Sequence, residues 1–79
     1  MEEKILEIIK NNAGDQTDWM KEDKIVDHEL IDSLDMVAII GDLAEEFDIE
    51  ISVDDMTAEN FNSVHAVAAM VNRLREEQN

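Results

Sequence analysis

From Glu2 to about Asn12, Ile5, Ile8 and Ile9 recur at i, i+3 and i+4 with Lys and Glu between them, which predicts an amphipathic helix. Asn11, Asn12 and Gly14 supply its stop signals. A second run, Leu30 to Phe47, reads LIDSLDMVAIIGDLAEEF. Asp32 is a good N-cap and no Pro follows, so Ser33 falls in the first turn of a helix that runs to about Phe47. Met36, Ile39, Ile40, Leu43 and Phe47 line its core face at i, i+3, i+4, i+7 and i+11. Leu34, Val37, Ala38 and Gly41 fall on another face, next to Asp35, Asp42 and Glu45. The last helix begins at Asn62 or Ser63, both good caps, and runs to about Glu77. Val64, Val67, Ala68, Val71 and Leu74 share one face of it, and Arg73 and Arg75 complement its dipole.

The segments between these helices read less regularly. Gly14 to Ile31 is long for a connection, and Trp19, Met20, Ile25, Val26 and Leu30 are expected to pin it to the core. Ile25 fits a short turn, and Trp19 is read as a packing residue. Asp48 to Val53 alternates like a strand, but a lone strand has no partner. It is therefore read as extended loop with Ile49 and Ile51 turned inward. Ser52 to Asp55 has the form of a capping box and Thr57 is a second cap, so one or both open a short helix ending near Phe61.

At 79 residues the chain is read as one small domain, 1–79, which hides only about 60% of its unfolded surface. It has no cysteine, so a disulfide or zinc–thiolate site is excluded. Charge sharpens the picture further. Twenty-one acids against six bases give −15, and between Ile25 and Asn72 there is no Lys or Arg at all. A field of one sign repels nucleic acid and anionic membrane, disfavours self-association, and speeds encounter with basic protein surfaces. The plain alternative is that these acids keep a small protein soluble. No apolar run, Met36 to Ile40 included, is long enough to span a bilayer, and Met1-Glu2-Glu3-Lys4 is acidic rather than an address. A cytoplasmic monomer is the expectation.

The candidate chemistry centres on Ser33. A first helical turn offers unpaired N–H groups and the positive end of the macrodipole, so it accommodates an anion such as a phosphate on that serine. An enzyme would need a convergent base and nucleophile, and none is visible. His28 precedes Ser33 across a loop and His65 sits in another helix, without metal-ligand spacing. Calcium-loop registers from Asp48 and Asp54 put Val53 and Glu59 where Gly is required, which excludes that site.

Asp32-Ser33-Leu34-Asp35, the apolar helix ending Glu45-Glu46-Phe47, the following Asp48-Ile49-Glu50-Ile51, and Ser63-Val64 together resemble the acyl carrier proteins and their aminoacyl and peptidyl relatives. The resemblance covers most of the chain and is poorest between Asn11 and His28. It implies an all-α four-helix bundle of the acyl-carrier type, with a long first loop and a short third helix. It implies that Ser33 carries 4′-phosphopantetheine, whose thiol holds the cargo as a thioester, and that Asp32 caps the helix and helps the transferase recognise the site. The chain would then be a substrate of enzymes, not an enzyme. By the same resemblance Leu34, Asp35, Val37, Ala38, Gly41, Asp42 and Glu45 belong to a recognition helix for a phosphopantetheinyl transferase and for loading and acyl-transferring enzymes with basic docking surfaces. Ala38 and Gly41 stand where many members have a Glu and a larger apolar residue, and Glu29 stands where many have Gly. Leu30-Ile31-Asp32-Ser33 is more like stand-alone carriers of specialised pathways, including D-alanyl carriers. A specialised acyl carrier is the first reading, a D-alanyl or other aminoacyl carrier the second, and an acidic interaction module without a prosthetic group the third.

Overall fold

A computed structural model describes residues 1–79 as four α-helices and one 3-10 turn with no strand. The bundle is all-α, as the resemblance implies. Helix α1 spans Glu2–Ala13, with Glu2 and Glu3 at the positive end of its dipole and Lys10 at the negative end. It stops because Gly14 takes φ 91°, a conformation open to glycine, while its N–H still reaches the Lys10 carbonyl at 2.8 Å.

Helix α2 spans Ser33–Phe47 and ends at Asp48, which adopts a left-handed φ of 54°. The 3-10 turn Val53–Asp55 and the four-residue helix α3, Ala58–Phe61, come next, followed by α4, Val64–Gln78. Both short-helix signals are used. Ser52 and Asp55 form a capping box on the 3-10 turn, and Thr57 Oγ1 accepts from Asn60 N–H at 3.3 Å. The expected third helix is therefore split in two, because each cap opens its own turn. Of the two candidate caps for the last helix, Ser63 is the one used: its Oγ accepts from Ala66 N–H at 2.9 Å.

Helix α1 packs on α2 and on α4, and α3 packs on α4. The core is apolar throughout, with Ile5, Ile8 and Ile9 from α1 and Ile39 and Leu43 from α2. Helix α4 contributes six residues, Val64, Val67, Ala68, Met70, Val71 and Leu74. Met70 extends the expected stripe, since α4 is covered by two neighbours and buries a wider face. Each fully buried aliphatic side chain stabilises the fold by about 1.5–3 kcal/mol.

The long loop is pinned by Trp19 and Ile25, each 1% exposed, while Val26 and Leu30 pack against the core edge. Trp19 also donates from Nε1 to the Gly14 carbonyl at 2.8 Å. Met20, expected in the core, is 49% exposed. Consecutive residues of the tight turn around Asp18–Glu22 cannot both face inward, and Trp19 takes the place. Ile49 is buried and Ile51 partly so, as the loop reading requires.

Candidate functional site

Ser33 is the first residue of α2 and is exposed. Asp32 caps the helix: extended backbone turns its Oδ1 to accept from Asp35 N–H at 2.8 Å, and its carbonyl accepts from Met36 N–H at 2.9 Å. The N–H groups of Ser33 and Leu34 take no partner within the chain, so two donors and the dipole stand open beside the Ser33 hydroxyl.

The turn leading into this helix is a Schellman motif. Leu30 N–H reaches the Ile25 carbonyl at 2.9 Å and Glu29 N–H the Val26 carbonyl at 3.0 Å, with Glu29 left-handed at φ 56°. This is the position where the resemblance places Gly. A one-turn helix closed by a left-handed residue explains why Gly suits it and why Glu29 is strained.

An open cleft of about 320 Å³ begins at Ser33. Val26, Ile31, Asp32, Ser33 and Met36 form one wall; Met56, Thr57, Ala58 and Phe61 form the other. Asp32 and Ser33 on one wall and Thr57 on the other are its polar residues, and the other six are hydrophobic. The sequence reading missed this cleft, because its far wall comes from the short third-helix region. The available signal was Met56, an apolar residue between two caps that is 44% exposed.

The outer face of α2 is as expected. Leu34 is 80% and Val37 70% exposed, and Ala38, Gly41, Asp42 and Glu45 are exposed with them, while Asp35 is half-buried. Asp42 is not a free carboxylate, however. Its Oδ2 accepts from Asn12 Nδ2 at 2.9 Å, which ties α2 to α1. His65 pairs with Glu2 at 2.8 Å across α4 and α1, and His28 is exposed in the Schellman turn. Neither forms a hydrogen bond with Ser33, and no cluster of His, Asp or Glu suited to a metal ion is present.

The family model described as a phosphopantetheine attachment site matches residues 3–71. The chain belongs to this family. The acyl carrier protein of Clostridium acetobutylicum is 40% identical over 76 residues, covering 95% of this chain and 96% of the relative. The D-alanyl carrier protein of Lactococcus lactis subsp. lactis is 31% identical over 80 residues, 98% and 99% of the two chains. The D-alanyl carrier protein of Lactobacillus acidophilus is 27% identical over 73 residues, 92% of each. No solved structure matches significantly.

The chain is thus a non-catalytic carrier of a family that bears 4′-phosphopantetheine and is served by a phosphopantetheinyl transferase and partner enzymes. Its residues fit such a group. The exposed Ser33 hydroxyl would supply the ester oxygen, the open N–H groups of Ser33 and Leu34 would suit the phosphate, and the adjoining cleft would offer apolar walls to the dimethyl-bearing arm. When bound, that group would supply the thiol that the chain, which has no cysteine, lacks. No helix is long and apolar enough to cross a membrane.

Proposed function

We propose that the chain carries an acyl group as a thioester on 4′-phosphopantetheine joined to Ser33 Oγ, in a specialised biosynthetic pathway. The observation that carries this reading is the exposed Ser33 at the capped N-terminus of α2, on the rim of an apolar cleft. Asp32 orients the turn, and its carboxylate stays aimed at the Asp35 N–H and leaves the other two donors free. Leu34 and Val37, flanked by Asp35 and Glu45, form the docking patch for enzymes with basic surfaces; Ala38 and Gly41 keep it low, and Asp42 contributes charge while holding Asn12. The protein works as one monomeric domain, 1–79, in the cytoplasm, kept apart by its charge of −15.

Apolar cleft walls suit an alkyl cargo better than an ammonium-bearing one, and the 40% identical relative is an acyl carrier protein. A D-alanyl cargo is the second reading, favoured by D-alanyl carrier relatives that cover nearly the whole chain. The first test is intact mass after incubation with coenzyme A and a broad-specificity phosphopantetheinyl transferase, with Ser33→Ala alongside. Gain of one phosphopantetheine by the wild type only is the expected result. Gain by both proteins, or by neither with an active transferase, would reject Ser33 or favour a bare interaction module. Charging with acyl donors and with amino-acid adenylating enzymes then separates the cargoes.

A further inference from the structure

The turn that delivers Ser33 is held from the far side of the cleft by one residue. Asn62 follows Phe61 at the end of α3 and caps it. Its carbonyl accepts from Ile25 N–H at 2.9 Å. Its side-chain Oδ1 accepts from Val26 N–H at 2.9 Å and Asp27 N–H at 3.0 Å, and Nδ2 donates to Asp27 Oδ2 at 3.1 Å. No other hydrogen bond joins the long loop to α3 or α4. Val26 lies in one wall of the cleft and Phe61 in the other, so the clip joins the two walls directly.

Apart from the burial of Ile25, the segment it holds is fixed only by the partial packing of Val26, Leu30 and Ile31 against the core edge. Ile25 is the one fully buried side chain between Met20 and Ile31, and Glu29 occupies a strained left-handed position. Three hydrogen bonds to consecutive N–H groups define both the place and the orientation of the Schellman turn. From Leu30, only Ile31 intervenes before the Asp32 cap. We propose that Asn62 is a positioning residue for the attachment reaction: it sets the distance between the cleft walls and, through the Ile25–Leu30 turn, the presentation of the Ser33 hydroxyl. This rests on the reading that Ser33 receives the prosthetic group.

The test uses the full chain, coenzyme A and a broad-specificity transferase, with Asn62→Ala, Asn62→Asp and the exchange pair Asp27→Asn/Asn62→Asp. Ile5→Val, a core change in α1, is the control for stability loss. Asn62→Ala should lower kcat for transfer about tenfold, as displaced reacting groups do, with KM nearly unchanged because the α2 outer face is untouched. Asn62→Asp sets two carboxylates against each other and should do the same. The exchange pair reverses that side-chain bond while keeping acceptors for both N–H groups, and should recover most of the rate. Ile5→Val should leave kcat alone.

Amide hydrogen exchange on the unloaded chains gives a second readout, in which Asn62→Ala selectively loses protection at Asp35 and Met36 relative to Ile5→Val. Wild-type transfer rates in Asn62→Ala, or no recovery in the exchange pair, would overturn the proposal. If Asn62→Ala does not fold, Asn62→Asp against the exchange pair decides. Should the wild type itself take no group at Ser33, the attachment reading falls, and a uniform exchange pattern in Asn62→Ala would remove the coupling as well.

Discussion

Glu29→Gly should stabilise the protein, although it deletes a side chain. Glu29 holds φ 56° as the left-handed residue of the Schellman turn, and it is exposed, with no hydrogen bond or ion pair from its carboxylate. An L-residue in this conformation costs about 1–2 kcal/mol, whereas glycine pays no steric cost there. Part of the gain is returned, because glycine has more freedom to lose on folding, by about 0.5–1 kcal/mol. The net expectation is a gain of roughly 0.5–1 kcal/mol, or some 2–8 °C in Tm for a domain of this size. Relief of charge repulsion could give the same sign, since one of twenty-one acids is lost. Glu29→Gln separates the two causes by removing the charge and keeping the strain. Thermal unfolding followed by circular dichroism at fixed salt should rank Gly above Gln, with Gln close to wild type. Equal gains would assign the effect to charge, and a loss in Glu29→Gly would refute the backbone account.

Asp32→Ala should cost about 1 kcal/mol through loss of the cap to Asp35 N–H, and Asp32→Asn, which keeps an acceptor, much less; equal losses in denaturant titrations would refute capping as its structural role. Gly41→Ala should raise stability by about 1 kcal/mol, because a Cβ there meets no atom within 4 Å and the helical backbone suits alanine. A lower Tm would mean that this face of α2 is not open. Leu43→Ala, at a fully buried site, should cost about 2–5 kcal/mol. Leu34→Ala, at a site 80% exposed, should cost under about 0.5 kcal/mol and instead slow transfer from the transferase. A Leu34→Ala chain as unstable as Leu43→Ala would place Leu34 in the core.

Much of the fold is legible because local signals agree with one another. Asp32, Ser52, Thr57 and Ser63 each cap the turn that their residue type announces, and α2 has the bounds its periodicity predicts. What escapes depends on partners distant in sequence. Met70 enters the core because both α1 and α3 lie against α4, and Met20 leaves it because Trp19 fills the place. Asp42 reads as a free surface acid until Asn12, thirty residues earlier in the chain, is seen to hold it. At the site, Ser33 and the exposed patch of Leu34 and Val37 follow from the helix alone. The cleft does not, since its walls come from opposite halves of the chain.

The placing of Ser33 cannot come from the anchoring of α2 alone. The first fully buried residue of that helix is Ile39, six positions or about 9 Å along the axis from Ser33. Between them only Met36 packs against the core edge, so the serine end extends beyond the packed part of the helix. Such an end frays unless something other than burial holds it. Here the hold comes from the loop side, through the Asp32 cap, the strained turn at Glu29 and the Asn62 clip. These are polar and local bonds, each of modest strength, which leave the hydroxyl and the flanking apolar side chains uncovered. A buried anchor in the first turn of α2 would fix the serine end more firmly, but it would cover the surface that a modifying enzyme has to reach. Stability and access are therefore assigned to different residues, and substitutions at Leu43 and at Asn62 should separate them.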